Sequence, residues 1–245
     1  MRWCWVLIGF WAVCGLAACS GDGQRDIKAF YFPVEHLRKG RVYAYEVQQN
    51  GGSSTEYYYH RAFLRDSGLF LTSTRYDAEF RIEQISREKI GERGAEARAH
   101  FLYEPDEANE AQLQSEAQIS AAEIFPFSVR DSSEAYRFQL QFHPPSDAAL
   151  RITLLRTRRF AGDAPDFEFQ GKKYACVRFL VEETIREAGP KGVTLEARGE
   201  EWYAKGIGLV RYRKSYEEGA LELDAALREV FPMSELERRA FLSGE

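Results

Sequence analysis

Tyr136, Phe138, Leu140 and Phe142 alternate with Arg137, Gln139, Gln141 and His143. Successive side chains of an extended chain point to opposite faces, so this order buries one face of a strand and wets the other. The same period of two recurs along the chain. Residues 42–49 and 55–65 flank Asn50-Gly51-Gly52-Ser53, a hairpin signal because Asn and Gly accept positive φ. Asp66-Ser67-Gly68 turns into 69–75, and a run beginning with Phe80, Ile82 and Gln84 turns at Gly91-Glu92-Arg93-Gly94 into 97–103. Beyond Pro144-Pro145-Ser146-Asp147 come runs over 152–160, 174–183 and 193–203, the last two joined across Gly189-Pro190-Lys191-Gly192. Residues 209–216 then pair back through Ala204-Lys205-Gly206-Ile207-Gly208. Aromatic content of 14%, with 13 Tyr and 17 Phe, suits strands.

The expected fold is therefore mainly β: an antiparallel curved sheet forming a half-open barrel or a sandwich, with one or two short helices. Residues 104–122 interrupt the rhythm, with Glu104, Asp106, Glu107, Glu110 and Glu116 and no basic residue. That composition predicts an acidic helical or loop insertion within a single domain spanning 29–245. Residues 234–242, with Ser234 as N-cap and Glu237 three positions on, predict a short capped helix.

The first twenty residues have a different grammar. Met1-Arg2 gives a positive start, the run from Trp3 to Val13 is almost continuously apolar, and small residues precede Cys19. This is the pattern of a secretory signal. Gly9 and Gly15 interrupt the run, which is shorter than the roughly 20 residues that span a bilayer. Leu16-Ala17-Ala18-Cys19 resembles the lipobox of bacterial lipoproteins. The resemblance implies a signal peptide over 1–18, a diacylglyceryl group on the Cys19 thiol and acylation of the new amine. More than one acyl chain makes such attachment effectively stable. Ser20 follows the cysteine where aspartate would favour inner-membrane retention, so the resemblance also implies the outer membrane, with the domain in the periplasm or on the surface. Cleavage after Ala18 with Cys19 as a plain thiol, and persistence of the segment as an anchor, are the alternatives.

Removing 18 of 245 residues leaves 227, and the loss of Arg2 moves the formal charge from −5 to −6. That is enough chain for one real core, and a mildly acidic chain without a basic block argues against nucleic acid as a partner. Cys4 and Cys14 leave with the signal, Cys19 carries lipid, and Cys176 remains without a partner for a disulfide. Cys176 sits in a β-type run, where a buried structural thiol is expected. Polar, glycine-rich residues 20–26 read as a flexible spacer, with lipidated cysteine and tether covering 19–28.

Glu201-Trp202-Tyr203-Ala204-Lys205-Gly206-Ile207-Gly208-Leu209-Val210 resembles a group of uncharacterised periplasmic and lipoprotein domains. These share a Trp, a tight glycine turn and a Gly-Leu-Val strand, with an earlier cysteine-bearing strand like that of Cys176. Lys205 stands where that group has proline. The group is similar to the curved-sheet fold of periplasmic lipoprotein carriers.

No motif for chemistry accompanies these features. His36, His60, His100 and His143 lack ligand partners at metal spacing, and the chain has no nucleophile elbow, P-loop or dinucleotide fingerprint. No catalytic residue, metal site or cofactor is expected. Arg156 with Arg158, and Arg211 with Arg213, share a face of their strands. Brought together they would form a stripe for phosphate or carboxylate groups of lipid or glycan; the alternative is a solvated face paired to Glu182, Glu196 or Glu200. Tyr57, Tyr58 and Tyr59 beside Tyr43 and Tyr45 must bury one register and could expose the other. The expected function is a non-catalytic binding or interaction domain in the cell envelope, held to the membrane through Cys19, with an envelope protein, lipid or glycan as partner. The alternatives are a carrier of a lipophilic ligand in the concave face of the sheet and an envelope hydrolase with an unrecognised site. A carrier needs an unfilled apolar cavity.

Overall fold

The computed structural model describes residues 23–106, 111–130, 132–189, 192–219 and 221–243. Leu16, Ala17, Ala18, Cys19 and Ser20 lie outside the described residues, as do Glu107 and Glu110. The strands are β1 (Arg25–Asp26), β2 (Arg41–Gln49), β3 (Gly52–Arg65), β4 (Gly68–Tyr76), β5 (Ile82–Ile90), β6 (Gly94–Pro105), β7 (Gln112–Glu116) and β8 (Gln118–Pro126). They continue with β9 (Ser128–Val129), β10 (Ala135–Phe142), β11 (Ile152–Phe169), β12 (Lys172–Glu187), β13 (Thr194–Ala204), β14 (Gly208–Tyr216) and β15 (Leu221–Phe231). One α-helix, α1 (Met233–Ser243), ends the described chain.

From β2 onward each long strand pairs antiparallel with the next, and β15 returns to pair with β2, from Leu223 opposite Gln49 to Phe231 opposite Val42. The ring β2-β3-β4-β5-β6-β8-β10-β11-β12-β13-β14-β15 therefore closes as an up-and-down barrel of twelve strands. Closure removes the edges that a half-open sheet would present. β7 and β8 behave as one strand broken at Ala117, whose N–H donates to the His100 carbonyl at 2.8 Å; β7 pairs with the far half of β6 and β8 with its start.

Two expectations are corrected here. Most of the segment at 104–122 is strand rather than a helical or loop insertion, because Leu113, Ile119 and Ile124 can face inward once β6 and β10 lie beside them. The folded part also starts before 29: Arg25 and Asp26 pair with Val129 and Ser128, and Ile27 is fully buried. Only residues 20–24 then separate Cys19 from the first strand. β15 is a strand that the sequence reading does not separate, although Leu221, Leu223, Ala225 and Leu227 alternate with Glu222, Asp224, Ala226 and Arg228 up to a bulge between Leu227 and Glu229.

The barrel has two different ends. At one end lie the hairpins after β3, β5, β11 and β13, and there residues 27–40 fold into the mouth as a plug, burying Ile27, Phe30, Tyr31 and Leu37. Backbone bonds pin the plug: Ile27 N–H to the Phe127 carbonyl at 2.9 Å and Gly206 N–H to the Ala29 carbonyl at 2.8 Å. The opposite end carries the hairpins after β2, β4, β6, β10, β12 and β14. Tyr43 and Tyr45 point inward and donate across the lumen to the carbonyls of Ile207 and Leu209, at 3.2 and 2.8 Å. Val42 and Ala44, the outward register of β2, pack under Leu236 and Met233 of α1.

Gly208 closes the β13–β14 turn with φ +102°, and a Cβ there would lie 2.5 Å from the Phe32 ring of the plug. Gly208→Ala is expected to destabilise the protein by about 1–3 kcal/mol, read as a lowered melting temperature. An unchanged melt would mean that the plug is not seated against this turn.

Candidate functional site

The inward register of β11 brings Arg156 and Arg158 into the lumen, opposite Phe138 and Tyr136 on β10 and opposite Glu183 and Val181 on β12. Arg158 grips Glu201 with two bonds, Nε to Oε2 at 2.7 Å and Nη2 to Oε1 at 3.2 Å, and Tyr203 donates to the same carboxylate at 2.8 Å. Nη1 of Arg158 is buried without an acceptor among the described residues. Arg156 Nε donates to Glu183 at 2.6 Å, and Lys214 Nζ reaches both oxygens of Glu183 at 3.1 Å. Further round the lumen Glu56 accepts from Tyr58, Tyr212 and Arg75, and Glu88 accepts from Tyr31 of the plug.

Burial alone would raise the pKa of Glu201 and Glu183. The adjacent Arg158, and Arg156 with Lys214, outweigh it and hold both near 2. Burial raises Glu88, which has phenol rather than cation as its nearest partner, and raises the phenols of Tyr31, Tyr45 and Tyr203 so that they stay protonated donors. Between these polar pairs the space is taken by Phe125, Phe179, Tyr45, Leu71 and Leu140, each almost fully buried. The Phe125 ring lies tilted against Tyr203 at 4.8 Å and against Phe179 at 5.4 Å between centroids.

Arg211 and Arg213 occupy the other face of the wall. Arg211 holds Asp224 through Nε at 3.0 Å and Nη2 at 2.6 Å and lies over the Trp202 ring at 5.4 Å. Arg213 shares Asp224 at 2.9 Å and stands 3.8 Å from Glu200. Burial would raise Asp224, but bonds from Arg211 and Arg213 bring it below the ordinary carboxylate range.

The four arginines thus do not form one stripe. Phe138 and Tyr136 across β10 require the inward register at 156 and 158, whereas Trp202 fixes the outward register at 211. The partners of the inner pair are Glu183 and Glu201, one position from the expected Glu182 and Glu200; those two bind Arg159 and Arg178 outside. The inward acids had a signal of their own, since Glu183 continues the Val177-Phe179-Val181 register and Glu201 shares one with Tyr203.

Across the outer face of β12 to β15 and β2 runs an open groove of about 810 Å³, lined by Gln48, Leu180, Arg198, Glu200, Arg213 and Asp224. Leu180 is 50% exposed there, and Arg198 has no ion-pair partner among the described residues. Gly199 forms part of its floor, where a Cβ would run into the Arg213 carbonyl.

The other singled-out residues fall into the walls. Tyr58 faces inward, while Tyr57 and Tyr59 face outward but are packed with α1 and Phe80, so they form no open aromatic patch. Cys176 is buried, and burial raises its thiol. His60 is buried with Nδ1 2.7 Å from Ser73 Oγ, and His100 is buried beside Phe138.

Two solved structures share this architecture. A candidate lipoprotein from Parabacteroides distasonis ATCC 8503 superposes with a TM-score of 0.52 and 14% identity, over 84% of this chain and all of that one. A candidate exported protein with a YmcC-like fold from Bacteroides fragilis NCTC 9343 gives 0.52 and 17%, over 82% of this chain and 98% of that one. At these identities the likeness concerns the fold. No family model matches the chain, and no curated protein matches it by sequence.

Proposed function

We propose that this chain is an envelope lipoprotein, acylated at Cys19 and held at the outer membrane, whose barrel is a non-catalytic binding module working through its outer wall. The observation that carries the reading is the contrast between lumen and groove. The lumen is taken up by aromatic rings and ion-paired side chains, which speaks against an acyl chain as cargo. The groove offers the exposed guanidinium of Arg198, which has no ion-pair partner among the described residues, and Leu180 as an apolar contact, to an envelope protein, lipid or glycan. The lipobox supports the address, and the two solved neighbours described as a lipoprotein and an exported protein accord with it.

Photo-crosslinking in intact cells tests the module. A photoreactive residue at Leu180 or Arg198 is expected to give a discrete adduct and one at Arg137, on the outer face of β10, none. Equal adducts from all three positions, or a co-purifying lipid that persists in native mass spectra when Leu180 and Arg198 are both replaced by glutamate, would overturn the reading. The anchor is tested by Cys19→Ser, which is expected to abolish incorporation of labelled fatty acid; survival of labelling would refute acylation at this position.

A further inference from the structure

We infer that the plugged end of the barrel is a landing surface for anionic phospholipid headgroups, so that the protein stands on its membrane with the plug downward. The inference rests on the acylation of Cys19. From Cys19 to Arg25 the chain spans at most roughly 20 Å when fully extended, and Arg25 enters the fold at β1 beside β9, at the plugged end. That end lies within reach of the headgroups whatever the tether does.

The distribution of lysines matches this placement. Of the eight lysines in the sequence, Lys28, Lys39, Lys89, Lys172, Lys173 and Lys205 belong to the plugged end. Lys214 is inside the lumen, and Lys191 lies outside the described residues. None of the six forms an ion pair among the described residues, and all except Lys89 are exposed. Two backbone bonds gather three of them around the tether's entry: Lys205 N–H to the Ala175 carbonyl at 2.9 Å, and Gly206 N–H to the Ala29 carbonyl at 2.8 Å. The acids of this end are largely engaged or countered: Asp163 binds Arg25, Glu35 binds Arg38, and Asp66 and Glu92 adjoin Arg65 and Arg93. Asp26 at the tether's entry, which accepts the Lys28 backbone N–H at 2.8 Å, and Asp166 and Glu168 on the β11–β12 hairpin remain, with Glu168 opposite Lys173. Leu64 adds a 69% exposed apolar side chain at the tip of the β3–β4 hairpin, beside Arg65 stacked on Phe63.

The far end is richer in acid: Glu104, Asp147, Glu187, Glu217 and Glu222 lie in or beside its hairpins without an ion pair among the described residues, against Arg151 and Arg186, while Asp77 and Glu79 there share Arg81. A chain with a net charge of −5 thus keeps its lysines where the lipid is and its surplus acid away from it. Anionic headgroups attract lysines near their plane and repel carboxylates, and the effect decays within a Debye length.

The test uses the mature chain with Cys19→Ser, which carries no lipid, floated with vesicles of phosphatidylglycerol and phosphatidylethanolamine or of phosphatidylcholine alone. Binding to the anionic vesicles only, lost as salt rises, is expected, and K172E/K173E/K205E should weaken it by about tenfold or more. An equal melting temperature for the triple variant keeps the comparison free of folding effects. Should the unlipidated affinity be too low to measure, hydrogen exchange on acylated protein in the same two vesicle types decides: amides of 28–40, 170–173 and 205–207 are expected to gain protection only in the anionic ones. Binding unaffected by the triple variant, or no difference in exchange between vesicle types, would overturn the inference and leave the basic end to an acidic protein partner. Failure of acyl labelling would instead strike the anchor, since flotation of Cys19→Ser does not depend on it.

Discussion

Replacing Glu201 with leucine is expected to cost about 3–5 kcal/mol of folding stability, because it strands the guanidinium of Arg158 in the lumen. Arg158 and Glu201 are almost wholly buried, with side chains 5% and 7% exposed, so neither can turn to water when its partner is removed. Tyr203 loses its acceptor in the same change. The desolvation that makes the stranded charge costly also makes the intact pair worth little against an apolar pair of similar volume. Arg158→Met combined with Glu201→Leu should therefore recover most of the loss. Urea unfolding of both single variants and the double gives the comparison. A double variant as unstable as Glu201→Leu would show that packing, rather than unpaired charge, carries the effect.

Acidification is expected to remove stability in two stages. His60 and His100 are held neutral by burial, with pKa values near 3 and 4, the latter lowered further by Arg156. In the unfolded chain they take up protons near 6.5. Their contribution is thus complete above pH 6.5 and is lost as pH falls towards 4 and 3. Glu183 and Glu201, near 2 in the fold against 4.5 unfolded, add a second loss below pH 4.5. Glu88, raised by burial, works in the opposite direction, since its uncharged form is favoured by folding. Each titrating group contributes a slope of at most about 1.4 kcal/mol per pH unit. Urea midpoints measured from neutral pH down through 4 should fall already above pH 4.5, and His60→Gln with His100→Gln should flatten that upper stage. A flat profile between pH 6.5 and 4.5 would contradict the burial of neutral histidines.

The strand order was legible because a barrel of neighbouring strands writes its period directly into the chain. The alternation at Tyr136 to His143 gave the inward face of β10 without ambiguity, and the turn at Asn50-Gly51 appears as read. Where the lumen is polar the signal inverts. Arg156 and Arg158 look like solvent-facing positions in the sequence, yet they point inward because Glu183 and Glu201 pair with them from neighbouring strands, and pairing across strands is not written locally. β15 escapes the reading for another reason: its period of two holds over 221–228 and is then broken by a bulge between Leu227 and Glu229, shortly before the helix. The groove, with Gly199 in its floor, had no linear signature beyond Arg213 and Glu200. The lysines of the plugged end are scattered from 28 to 205 and meet only through topology.

The ring closes between Val42–Gln49 and Leu223–Phe231, the first and last long strands. Every other neighbour in the ring can pair as soon as the next hairpin is available, but this junction waits for nearly the whole chain. A polypeptide threaded across a membrane from its N-terminus would therefore emerge as a growing ribbon with Tyr43 and Tyr45 exposed. It could not seal until Leu221 to Phe231 had crossed. Any truncation upstream of β15 leaves two open edges facing one another, and an unsealed ribbon of this kind would need rapid completion or a chaperone that shields the first strand.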